Sequence, residues 1–262
     1  MRIGGAVLAK KDDVLERRVY FKWQAKRAMG QRGNLLRFIG ATFIMLAVAE
    51  AFICLFETVC YFIAEKVTHA LLVSELFLLF VIVSPLLLAL ARMAYRMSLG
   101  DKTEIYDIFY YFNRERLRGA YIIAVCVFGE WLVQFALAFT VGRCIAYAFE
   151  GIYARFFSPL SLILAVIVMP FVSGVFTRAF ILPAAYFEKE DLNEAFAVSK
   201  TSAKGQPREI SLFNVSFLPL VLMSVLTLGI LFFVYVLPLY MIASQLMASY
   251  FVGCNISENY RK

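Results

Sequence analysis

Four ionisable side chains lie inside long apolar runs of this sequence: Glu50, Glu57, Glu130 and Arg178. A charge held in hydrocarbon costs several kcal/mol unless it is paired or wetted, so each must face protein or water. Glu50 and Glu57 are seven residues apart, which puts them on one helical face. Two chemistries fit this intramembrane polar cluster. One is an ion or proton path past Glu50 and Glu130, with Arg178 as counter-charge. The other is a buried structural ion pair, with Glu57 near enough to an outer interface to snorkel. Glu75 and His69 fall near an outer end and meet water.

No other chemistry is written in the chain. It has no HExxH, GxSxG, Walker A or GxGxxG string, and no acidic pair with the spacing of metal-dependent lipid transferases. The sequence therefore predicts no catalytic, metal or cofactor residues. Cys54, Cys60, Cys126, Cys144 and Cys254 are odd in number, lack a CxxC pair and lie mostly in apolar runs, as small core residues do. One histidine, His69, excludes a multi-histidine site.

The elements that must position these residues are membrane spans. Apolar residues make up 62% of the chain, charged residues 17%, and mean hydropathy is +0.75. From Ser211 to Val252 there is no charged residue. A hydrocarbon core about 30 Å thick takes roughly 20 helical residues, so this run predicts a hairpin of two spans. Its turn is expected at Thr227-Leu228-Gly229, where glycine tolerates the reversal. Applied along the chain, the same rule predicts six transmembrane helices as three hairpins. The spans fall at about 35–64, 71–92, 119–141, 159–187, 211–228 and 230–252. Residues 1–34 form a cytoplasmic basic segment and residues 253–262 a cytoplasmic tail. Pro85 is expected to kink the second span, and Pro170 and Pro183 give the fourth places to bend.

A polar amphipathic helix precedes each hairpin. In the first, Leu15, Val19 and Trp23 recur every four residues among Arg17, Arg18, Lys22, Lys26 and Arg27. That pattern suits a helix lying on an anionic inner leaflet; the patch Ile3 to Ala9 is too short for a secretory signal. In the second, Ile105, Ile108, Phe109 and Phe112 make an interfacial stripe at i, i+3, i+4 and i+7, with Glu104 and Asp107 off it. The third carries Leu192, Ala195 and Phe196 on one side. IYDIFYYF from Ile105 and LNEAFAVS from Leu192 match in pattern, and AKRAMGQ from Ala25 resembles SKTSAKGQ from Ser199, as three duplicated units would.

The net charge of +7 is read through topology rather than as a nucleic-acid surface. Of the 26 lysines and arginines, 22 fall in the N-terminal segment with Arg37, in 92–118, in 188–209 and in the tail. Lys66, Arg143 and Arg155 fall on the other side. This positive-inside bias predicts both termini in the cytoplasm and a cell-membrane location. It also leaves the sequons at Asn214 and Asn255 unglycosylated.

WQAKRAMGQRGNLLRF before the first span resembles the opening of a bacterial integral membrane family known only as a domain of unknown function (number nine-seven-five). SKTSAKG from Ser199, Ser216-Phe217, TLGI from Thr227 and PLY from Pro238 are similar to that family's C-terminal half. There the pattern is Ser-Lys-x-x-x-x-Gly, Ser-Phe, Thr-x-Gly-Ile and Pro-Tyr. This chain inserts Leu239 into the last and lacks the Gly-Trp that often follows Ser-Phe. The resemblance implies six spans and no established activity.

Two functions stand on this reading. One is a non-enzymatic scaffold or regulator of membrane partners or of lipid organisation, working through its amphipathic helices, with a membrane-protein partner or a second copy of itself. The other is a small permease or exporter with a path past Glu50, Glu130 and Arg178.

Overall fold

The hydropathy of the chain leaves its backbone one choice. In hydrocarbon every N–H and C=O must be satisfied within the protein, which a helix does by itself. The computed structural model describes residues 14–31, 33–63, 69–150, 159–227 and 229–259, and these are helical with no strand. The helices are α1 (Val14–Gly30), α2 (Asn34–Ile63), α3 (His69–Ser98), α4 (Arg114–Glu150), α5 (Pro159–Val172), α6 (Thr177–Lys189), α7 (Leu192–Ser202), α8 (Pro207–Val215), α9 (Leu218–Leu226) and α10 (Leu237–Asn259). The Ile3 to Ala9 patch, Lys66, Arg155 and the side chains of Leu15 and His69 lie outside what is described.

Five stretches are long and apolar enough to cross a membrane: Asn34–Thr58, Phe77–Ser98, Arg114–Ala148, Leu160–Lys189 and Phe232–Gly253. The chain is a multi-pass membrane protein, all-helical among the described residues. Four of the six expected spans, and the last, coincide with these stretches. The span expected at 211–228 does not form one helix. It is divided between α8 and α9, nine residues each, with a turn at Ser216 and Phe217. Each is about 13.5 Å long, so neither alone spans a bilayer. The reversal after α9 falls at Gly229, whose φ of 81° suits the residue without a Cβ; its N–H donates to Ser224 O at 2.9 Å.

Packing is concentrated at one end of the bundle. Among the described residues none from Leu46 to Val83 is buried, whereas Ser84 to Leu86 and Leu88 to Ala91 all are. Of these, Leu86 and Leu88 to Leu90 join Phe38 and Ala41 of α2, Ile123 of α4, Ile181 and Leu182 of α6 and much of α10 in a single core. α2 and α3 have 30 residues each, about 45 Å at the α-helical rise, so both exceed a ~30 Å hydrocarbon core. Their packed ends form a head, and their exposed apolar halves are surfaces for lipid. Pro85 does not interrupt α3, nor Pro183 α6.

Away from the head, α4 and α5 pack as a pair through small residues. Gln134, Ala138, Gly142 and Ala146, each four apart, are buried with Ser161 and Ala165. A Cβ on Gly142 would lie 2.7 Å from the Ala165 nitrogen. Without a hydrophobic force between helices in lipid, this close backbone approach supplies the attraction.

The connection from α3 to α4 departs from expectation. Ile105, Ile108, Phe109 and Phe112 do not make an α-helical stripe. The segment is a short 3-10 helix, Ile105–Phe109, that ends before Phe112; Ile108 is fully buried, and Ile105, Phe109 and Phe112 are exposed. Asp107 explains the tight turn: its carboxylate accepts from the Glu104 N–H at 3.0 Å and from Arg96 at 3.3 Å, holding the loop against the end of α3.

Candidate functional site: the break in the fourth span

The fourth span stops being α-helical at Ser173–Phe176, where four residues turn as a 3-10 helix between α5 and α6. Two local features put the break there. Pro170 has no N–H to give its own turn. Gly174 lies so close to α8 that a Cβ would overlap Pro207 O and Ser211 Oγ.

A break exposes carbonyls at the end of one half-helix and N–H groups at the start of the next. Side chains from neighbouring helices satisfy them. From α4, Gln134 donates to Met169 O at 3.2 Å, and the Glu130 carboxylate accepts from the Ala179 N–H at 2.9 Å. Glu130 and Gln134 are four apart, hence on one face of α4. From α8, Ser211 donates to Phe171 O at 3.1 Å. A chain of three bonds completes the site. Tyr240 donates to Asn214 Oδ1 at 3.1 Å, Asn214 donates to Ser173 Oγ at 2.8 Å, and Ser173 donates to Pro170 O at 2.5 Å. Both polar atoms of the Asn214 amide are thus engaged.

Glu130 is the charged member. Ala179 is the third residue of α6, so the carboxylate lies against the N-terminal end of a helix, where the partial positive charge of the backbone favours an anion. Arg178, one residue earlier, turns the other way. Its guanidinium carbon lies 4.9 Å from the Phe196 ring centroid in α7, and its Nε is buried without a hydrogen-bond partner. No ion pair joins Arg178 to Glu130 or Glu50 among the described residues. Glu50 and Glu57 are exposed on the half of α2 away from the head, where Glu50 accepts only a long contact from Cys54 Sγ. The four residues singled out by charge therefore do not converge.

A second set of charges is also engaged by the fold. In α1, Arg17 pairs with Glu209 at 3.2 Å, Arg18 donates to Leu212 O at 3.1 Å, and Lys22 donates to Ser216 O at 2.6 Å. The first meets the acidic opening turn of α8, and the other two cover its C-terminal carbonyls, where cations are favoured. Lys22 also lies 4.2 Å from the Phe217 ring centroid. Burial, then the Arg18 and Lys26 charges, lower its pKa from the ordinary 10.5. The opposite face of α1 buries Phe21, Ala25, Ala28 and Met29 in the core. Val19, Trp23, Lys26 and Arg27 remain exposed.

Sequence reasoning missed Gln134, Ser173, Ser211, Asn214 and Tyr240. Their signal was polar pairs at helical spacing inside apolar helices, Glu130 with Gln134 and Ser211 with Asn214, which weighs less to the eye than a formal charge. No protein-family model, curated protein or solved structure matches this chain.

Proposed function

We propose that this chain is a non-enzymatic scaffold of the bacterial cell membrane, organising membrane partners or lipids. The observation that carries this reading is the engagement of the intramembrane polar groups by backbone: Glu130 holds Ala179 N–H, Gln134 holds Met169 O and Ser211 holds Phe171 O. Side chains fixed on backbone atoms are not free to pass a substrate along. The exposed Val19, Trp23 and Phe109, with Lys26 and Arg27, supply an apolar and basic surface of the kind that meets an anionic leaflet.

The topology belonging to this reading has six crossings, with α8 and α9 together making the fifth. At 20 residues from Pro207 to Leu226 they reach about 30 Å. It is supported by the contact between α1 and the end of α10. The Phe21 and Tyr250 rings lie 5.8 Å apart, and Arg17 donates to the Tyr250 hydroxyl at 3.5 Å. Helix α1 and the end of α10, meeting on one side, require an even number of crossings between them. The family resemblance carried by WQAKRAMGQRGNLLRF fits the same plan.

One observation favours the permease reading: a discontinuous span with a half-helix N-terminus near a half-buried carboxylate is how many transporters build a midplane site. Purified protein in vesicles separates the two. Under an imposed pH gradient the scaffold gives no protein-dependent flux, and Glu130→Gln changes nothing. Flux that Glu130→Gln abolishes favours the permease.

A further inference from the structure

At the end where α3 finishes, α4 begins and α6 finishes, the head carries a half-open cavity of about 150 Å³, with Glu115, Arg116 and Glu190 exposed at its mouth. That is on the order of ten times the space one water needs. Its charges are balanced. Arg92 and Arg116 supply two positive groups, Glu115 and Glu190 two negative ones, and Tyr110, Tyr111 and Tyr186 give the walls an aromatic character.

Two features distinguish this from a solvated polar surface. The guanidiniums of Arg92 and Arg116 stack on the same ring, at 3.5 and 4.1 Å from the Tyr110 centroid. Stacking leaves the edges of both guanidiniums, which carry the N–H donors, free for a planar or tetrahedral oxyanion. Among the described residues neither arginine comes within ion-pair distance of a carboxylate, although two carboxylates line the same cavity. The second feature is Glu190. It is the one residue other than glycine with positive φ among those described, at 55°. Glycine would hold that conformation without strain. The strained backbone places a carboxylate at the cavity where the easier residue would have none.

We propose that this cavity binds a phosphate group joined to a nearby ammonium, the phosphoethanolamine class. Arg92 and Arg116 take the phosphate, and Glu190 and Glu115 with the tyrosine rings take the ammonium. The eight non-hydrogen atoms of phosphoethanolamine fit the volume, and the pairing uses all four charges. The source is either a phosphatidylethanolamine headgroup or the free phosphate ester. Gly119 helps to shape the wall, because a Cβ there would come 2.5 Å from the Tyr186 hydroxyl. This inference is independent of whether the chain scaffolds or transports.

The test uses the full chain, purified in detergent and stripped of lipid. Free phosphoethanolamine, inorganic phosphate and ethanolamine are titrated separately by calorimetry. Retention of phosphatidylethanolamine against phosphatidylglycerol is read by native mass spectrometry. The expected result is binding of the joined molecule at least tenfold tighter than either half, weakened at least tenfold by Arg116→Gln and by Glu190→Gly. Arg116 is exposed and glycine at 190 relieves strain, so both variants fold. Arg114→Gln, on the same turn and outside the cavity, leaves binding unchanged. Retention of the lipid without binding of the soluble ester identifies the headgroup as the source; binding of the soluble ester identifies the free form. The proposal is overturned by phosphate binding as tightly as phosphoethanolamine, by equal losses in Arg114→Gln and Arg116→Gln, by undiminished binding in Glu190→Gly, or by neither form binding.

Discussion

Glu130 offers the sharpest test of the broken span, because its two neighbours allow opposite expectations. If the carboxylate is a cap for α6, its role is to accept from Ala179 N–H, 2.9 Å away. A hydrogen bond to a charged group contributes about 1.5–3 kcal/mol, and a buried donor left unpaired costs about 1–3 kcal/mol. Glu130→Ala is therefore expected to lower stability by about 3 kcal/mol. Glu130→Gln keeps an acceptor and loses only the charge at the helix end, worth about 1 kcal/mol in a partly buried setting. At roughly 2–4 °C per kcal/mol for a chain of this size, alanine lowers the melting temperature in detergent by about 6–12 °C and glutamine by about a third of that. Were Arg178 the partner instead, glutamine would cost nearly as much as alanine, and Arg178→Leu with Glu130→Leu would restore part of the loss. The geometry predicts no such rescue. Arg178→Leu forfeits its stack on Phe196, about 0.5–2 kcal/mol, and the two losses add to within about 0.5 kcal/mol. A measured coupling above about 1 kcal/mol, or equal losses for glutamine and alanine, refutes the cap.

Three further outcomes follow from other contacts. Gly142→Ala forces a Cβ to 2.7 Å from the Ala165 nitrogen and is expected to destabilise by about 1–3 kcal/mol; Gly129→Ala, with nothing within 4 Å, gains about 0.5–1 kcal/mol from helix propensity, and melting of the matched pair checks both. In the unfolded chain Lys22 keeps its proton to higher pH than in the fold, so stability rises with pH between its lowered folded pKa and the ordinary 10.5. Lys22→Met is expected to flatten that rise in alkaline melts. For topology, single cysteines replacing the exposed Lys102 and Lys204 react with impermeant reagent only in opened cells, while one at Ile152 reacts from outside. Outside labelling at Lys204 overturns six crossings; Thr103, fully buried, is unsuitable for this purpose.

What the sequence makes legible is whatever hydrocarbon dictates. Length and apolarity are enough to place Asn34–Thr58, Phe77–Ser98, Arg114–Ala148, Leu160–Lys189 and Phe232–Gly253, because a bilayer imposes one length and one backbone state. The glycine turn at Gly229 is legible for a similar reason, since only positive φ closes that reversal cheaply. The 3-10 segment is not. Ile105, Ile108, Phe109 and Phe112 satisfy helical periodicity, but Asp107 holds the Glu104 N–H and Arg96 together, and a capped tight turn overrides the period. Nor is the role of the α1 charges legible from α1. Arg17, Arg18 and Lys22 read as a basic face until α8, nearly two hundred residues later, offers them Glu209, Leu212 O and Ser216 O.

The same reasoning explains why the charged cluster did not converge. Formal charge marks a residue that must find a partner; it does not say whether the partner is another charge or the backbone. A straight span satisfies its own backbone and leaves a buried carboxylate only side chains to meet. A broken span changes the supply, since the break at Ser173–Phe176 leaves both N–H and C=O groups without intrahelical partners at membrane depth. Glu130 then finds a donor in Ala179 N–H and has no need of Arg178, and Arg178 is released to stack on Phe196. Pro170, read only as a place to bend, and Gly174, which the sequence did not single out, thus decide what the glutamate in α4 is for. The break creates the demand, the i and i+4 pair Glu130 and Gln134 meets it from one side, and Ser211 and Asn214 meet it from the other. Any function that runs through this centre must first detach one of those side chains from the backbone that it holds.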